Sequence, residues 1–148
     1  GCSNDRFMIR LIHMEERFEE IDHTADVAIR VRGTILPELF ANAAYGMAWQ
    51  LTNPDDVDPM IERRVEVEGG DLEMVMVEWL SELLYLGERD HLVFTEFDIL
   101  QMTSRSLQAL ARGGAVDEYH GHIKAVTFSE LEITSTDRGF ETTIVFDV

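Results

Sequence analysis

The hydrophobic pattern changes period inside one stretch, "RRVEVEGGDLEMVMVEWLSELLYL", residues 63–86. Before the paired glycines, Val65 and Val67 alternate with charged neighbours, the repeat of two expected of a half-buried strand. After them Leu72, Val75, Met76, Trp79, Leu80, Leu83 and Leu86 recur three and four apart, the repeat of a helix with one wide apolar face. Asp71 stands where that helix needs an N-cap, and Gly87 is expected to end it. Neither apolar face can be left in water, so a chain that makes this switch must lay helix against sheet. The Met–aromatic stripe reads as core rather than as a cofactor box.

The same two periods recur along the chain. In "VAIRVR" Val27, Ile29 and Val31 face one way and Ala28, Arg30 and Arg32 the other, with Gly33 as terminator and a shorter extended piece around Phe18 and Ile21. "TILPELFANAAYGMAWQL" sets Leu36, Phe40, Ala43, Met47 and Leu51 on one helical stripe. Pro37 is tolerated there in the first turn, and "NPDDVDP" breaks the helix. Extended segments follow at "HLVFTEFDIL", "SLQALAR", "HIKAVTF" and "LEIT", with a break at Gly113–Gly114 and a turn at "TDRG". In the closing "FETTIVFDV", Phe140, Thr142, Ile144 and Phe146 share one face, Val145 and Asp147 the other. Two helices among six to eight strands give an α+β fold, a single layered domain with two main helices packed on mostly antiparallel sheet.

A chain of 148 residues is most simply one domain. Residues 1–15 begin with Gly and are expected to be a mobile leader or an appended remnant, leaving 16–148 as the domain. Its 45% hydrophobic content and eight Phe suit a packed core. The net charge of −17, from 29 acidic against 12 basic side chains, repels a phosphate backbone and argues against direct nucleic-acid binding. It suits hard cations or a basic protein partner. Cys2 is the one cysteine and cannot close an internal disulfide, which favours a reducing, cytoplasmic setting. "FMIRLI" is short and broken by Arg10, and no run approaches the roughly 18 apolar residues of a membrane span. No P-loop, G-x-S-x-G, H-E-x-x-H or dinucleotide turn occurs, so the chain does not read as a self-sufficient enzyme.

Three places could carry chemistry. The knot "DHTAD", Asp22 to Asp26, reads either as a turn that ties its own backbone or as a site where Asp26 aims a carboxylate at a cation while His23 orients a neighbour. Carboxylate surroundings suit Ca²⁺, Mg²⁺ or Mn²⁺ better than Zn²⁺. The closing "VFDV" reads either as a solvated end or as a strand end holding the Asp147 carboxylate and Val148 in a fixed place. If the first long strand pairs with the last, Asp26, Asp147 and Val148 converge on one hard-ion site. Lys124, the only lysine, either snorkels from a strand edge or presents its charge to a phosphate or a partner's carboxylate. His120 and His122 could share a strand face, and His91 reads as a helix cap.

These segments together resemble the archease family. The likeness runs from about Arg17 to Val148 and is carried by "DHTADVAIRVRG", "LPELFANAAYGM", "VEVEGGDLEMVMVEWLSELLY", "KAVTF" and the terminal "FDV". The resemblance implies a non-catalytic activator of an RtcB-type tRNA-splicing RNA ligase, one that helps the ligase accept guanylate from GTP and turn over repeatedly. It implies a metal site at Asp26, Asp147 and Val148, and it matches the family's functional lysine to Lys124, which with His23 would contact a partner or a phosphate. Family members commonly have glutamate where this chain has His122, and an aromatic–His pair where it has Phe128-Ser129. The usual helix-capping Thr position is taken by Ile35. Two other function classes stand beside the activator: a general chaperone or modulator of tRNA-modifying enzymes, and a metal-dependent phosphohydrolase.

Overall fold

Seven consecutive residue pairs, Val27↔Phe146 through Gly33↔Phe140, join β2 (Val27–Gly33) antiparallel to β8 (Gly139–Asp147). The computed structural model describes residues 17–21 and 26–148. Around that pair lies a sheet in the order β1-β2-β8-β6, with β1 at Phe18–Ile21, β6 at Ala125–Val126, and β7 (Thr134–Thr136) also pairing β8. A second sheet has the order β3-β5-β4, from Ile61–Glu68, Ser106–Ala115 and Leu92–Met102. Every described pairing is antiparallel. The α+β expectation therefore holds, with two sheets rather than one.

Helix α1 (Leu36–Leu51) packs on β2 and β4, so it touches both sheets; α2 (Leu72–Asp90) packs mainly on β3 and β4. The 3₁₀ turn Pro54–Asp56 follows α1 at the breaker "NPDDVDP". The predicted stripes are the buried ones: Phe40, Ala43 and Met47 on α1, and Val75, Met76, Trp79, Leu80 and Leu83 on α2. Trp79 is fully buried, donates its indole N–H to the Phe40 carbonyl at 2.9 Å and meets Phe97 edge-on. One side chain thereby ties α2 to α1 and to β4, satisfying its polar atom as burial demands.

Helix ends follow local chemistry. The Asp71 carboxylate accepts the Met74 N–H at 2.8 Å, as its position predicts. At α1 the N-cap is Ile35, which has no side chain to offer. Thr34 donates its N–H and hydroxyl to the Glu38 carboxylate, at 3.0 and 3.2 Å, and so ties the entering chain to the first turn. His91 ends α2 in the left-handed conformation, φ 57° and ψ 47°, with its N–H returned to the Gly87 carbonyl. Gly87 itself does not end the helix: it is buried within it, and a Cβ there would lie 2.7 Å from the Leu92 carbonyl oxygen.

Other expectations are corrected. Gly113 and Gly114 do not break a strand but sit inside β5, opposite Phe94 and Val93. A Cβ on Gly113 would strike the Val93 carbonyl, and one on Gly114 the Asp58 carbonyl, so the glycines serve close backbone approach. "HIKAVTF" pairs only at Ala125–Val126, and the short strand expected at "LEIT", residues 131–134, starts three residues later, at Thr134–Thr136. The 1–15 leader falls outside the described residues. Among those described, no helix is long and apolar enough to cross a membrane. We expect Gly113→Ala to cost about 1–3 kcal/mol of stability in urea denaturation, because the added methyl must push β4 off β5.

Candidate functional site

Three strands finish at one end of the larger sheet. Asp26 is the half-buried bend residue just before β2, and Asp147 is the exposed last residue of β8. Carried one residue past Val27↔Phe146, the β2–β8 register sets Asp26 across from Asp147. If the strand alternation runs on through Asp26, both side chains would lie on the sheet face shared by Ala28 and Val145, since alternate residues share a face. Directly opposed residues of an antiparallel pair have Cβ atoms about 4.5–5.5 Å apart, close enough for two carboxylates to share a cation.

On the other side of Asp147 stands β6. Ala125 pairs with Asp147, and the Lys124 N–H donates to the Asp147 carbonyl at 2.7 Å. Lys124 is exposed there, and Val148 is 43% exposed beside it. The Thr of "KAVT" explains why this short strand is held. Thr127 donates both its N–H (3.0 Å) and its hydroxyl (3.1 Å) to the Val145 carbonyl, and its oxygen accepts the Ser129 N–H at 3.2 Å. The hydroxyl of Thr127, which can accept a backbone N–H two residues on, is the one sequence signal for this anchor, an ST-turn. Phe128, the next residue, is 55% exposed and adds an apolar surface near the charged edge.

Of the residues singled out in the sequence, Asp26, Asp147, Val148 and Lys124 thus share one sheet end. His23 lies outside the described residues, with Asp22 and Thr24. The other described histidines are elsewhere: the His120 N–H donates to the Leu51 carbonyl at 2.7 Å, while His91 and His122 open onto a pocket against α2. Among the described residues no group of three or more His, Cys, Asp or Glu could hold a metal ion. Among the described residues, two carboxylates and main-chain oxygen are what this edge offers, a donor set of hard-cation type. Asp90, beside His91, is held below the ordinary carboxylate range chiefly by its hydrogen bond from Arg89. It takes no part in this edge.

Comparison with known proteins gives the chain its relatives. Residues 18–148 match the model of the archease protein family. "Protein archease" of Methanosarcina barkeri is 36% identical over 141 residues, covering 90% of this chain and 97% of its relative. That of Saccharolobus islandicus is 37% identical over 136 residues, covering 88% and 98%. The solution structure of protein 1598 of Methanobacterium thermoautotrophicum superposes with a TM-score of 0.72 at 28% identity, over 88% of this chain and 98% of that one. A Thermotoga maritima crystal structure, described as an archease and possible chaperone, has a TM-score of 0.62 at 20% identity, over 88% and 96%, and shares the fold.

Like charges opposed across a strand pair destabilise it. In buffer with a chelator, Asp147→Asn is therefore expected to raise the urea midpoint slightly. A lower midpoint would show that the two carboxylates do not face each other.

Proposed function

This chain belongs to the archease family, and from that premise we propose that it is a non-catalytic, metal-binding activator of an RtcB-type RNA ligase in tRNA splicing. The observation that supports the proposal is the β2–β8 register, whose extension by one residue would set Asp26 across from Asp147, next to the main chain of Lys124. Asp26, Asp147 and the main chain of Val148 would hold the ion, with Ca²⁺, Mg²⁺ and Mn²⁺ the fitting class. Bound there, a divalent ion would supply positive charge to a phosphate chain.

The chain's own residues do the rest. Lys124 stands exposed one strand away from the carboxylates and offers a point charge to a phosphate oxygen or to a partner's acidic side chain. His23, outside the described residues, is proposed as a second contact with the partner or the phosphate. A ligase that handles RNA and GTP needs a basic cleft, and a chain of net charge −17 is its electrostatic complement. That complementarity speeds encounter and fixes orientation. Electrostatics of this sign also support the absence of direct nucleic-acid binding, and the reducing cytoplasm is the proposed setting.

The test is multiple-turnover guanylylation of the ligase with and without this protein. Asp26→Ala and Asp147→Ala should each lower the stimulated rate on the order of a hundredfold, and Lys124→Gln about tenfold. Full stimulation by either aspartate variant would overturn the proposal. Ligase binding that persists in chelator and ignores both aspartates would point to a general chaperone role. Phosphoester turnover by the isolated protein, lost in Asp26→Ala, would point to a phosphohydrolase.

A further inference from the structure

A pocket of about 340 Å³ opens between α1, α2, the start of β4 and the segment 116–123. Its walls are made by Met47, Ala48, Leu83, Leu84, Phe94 and Ile123, all buried in the fold. The volume falls within the range of roughly 300–1,000 Å³ typical of small-molecule sites, and the lining is apolar as theirs is.

The outer wall is a strap fixed at three points. The Val116 N–H donates to the His91 carbonyl at 3.1 Å, and the Tyr119 hydroxyl bonds the Gly87 and Leu92 carbonyls at 2.9 and 3.2 Å. The His120 N–H closes the far end on Leu51. Three attachments of this kind keep the space from collapsing, so the pocket is a standing feature of the fold.

Polarity is confined to the mouth, where Glu88, His91 and His122 are exposed. Glu88 is the only carboxylate among the lining residues, and no Lys or Arg lines the pocket. Burial raises the Tyr119 phenol above its ordinary pKa, and the Glu88 charge adds to the rise. The two imidazoles are not a metal centre, because no group of three ligating side chains gathers here among the described residues.

We propose that this pocket binds a small organic cation, an apolar ring or branched aliphatic body with one ammonium group held at the mouth by Glu88. An anion would face the Glu88 carboxylate with no Lys or Arg to offset it, and a fully polar molecule would lose its hydration against Leu and Phe. His122 gains a use here that neither the metal edge nor Lys124 gives it, as a hydrogen-bonding partner for the head group. The site is separate from the metal edge and does not depend on the ligase reading.

Three probes with one ring and different heads test it: 2-phenylethylamine, 2-phenylethanol and 3-phenylpropionate, titrated into the ¹⁵N-labelled full chain. The amine should bind saturably, with shifts at residues 83–94 and 119–123, and about tenfold more tightly than the carboxylate. Glu88→Gln should erase the amine's advantage over the alcohol and leave alcohol binding unchanged. Ala48→Leu should weaken all three by filling the cavity, and should that variant fail to fold, the Glu88→Gln comparison decides alone. Absence of saturation by every probe, carboxylate binding as tight as the amine's, or an undiminished amine preference in Glu88→Gln would overturn the proposal.

Discussion

The register between β2 and β8 is the constraint on which the rest depends. It sets Ile29 against Ile144 and Val27 against Phe146, and the three of these that are fully buried (Ile29, Ile144, Phe146) belong to the core with α1. A slip of one residue would turn the apolar set of one strand to the opposite face and leave α1 without a floor. The same slip would carry Asp26 away from Asp147. Core and candidate site are thus specified by one pairing. A change that loosens the sheet acts on both.

Close packing around α1 is what lets one helix serve two sheets. Ala43, Ala44 and Ala48 are almost wholly buried, and a Cβ on Gly46 would meet the side chains of Ile29 and Phe18. Small residues bring the helix axis near the strands, where bulkier ones would hold it off. Surface charge contributes differently. Arg112 collects Glu62, Glu96 and Asp98 across the three-stranded sheet, and Arg32 links Glu19 with Glu141. Exposed pairs of this kind add little stability in water. The core, rather than these pairs, holds the fold.

Two stretches carry more than their strand length suggests. "KAVT" pairs over only two residues, yet Thr127 binds it to Val145 and so fixes Lys124 beside Asp147. The preceding "YHGHI" is no strand. It is a strap whose Tyr119 replaces regular pairing with bonds to Gly87 and Leu92. Together they run from the mouth of the apolar pocket to the charged edge. Two surfaces of opposite chemistry are in this way set by one segment.

The sequence by itself determined the elements and their inward faces: Trp79 and Leu80 on α2, Phe40 and Met47 on α1, Ile29 and Ile144 in the strands. Period and capping are local properties, readable from spacing and from Asp71 alone. It also pointed to Asp26, Asp147, Val148 and Lys124 as residues of interest, but only conditionally. Strand pairing joins residues more than a hundred positions apart, and only tertiary structure decided that β2 lies beside β8. The misread glycines have the same cause. Gly113 serves a neighbour, Val93, that no local window contains, and Gly87 makes room for Leu92 rather than ending its helix. The pocket, built from two helices, a strand and a strap, has no trace in any one stretch of the chain.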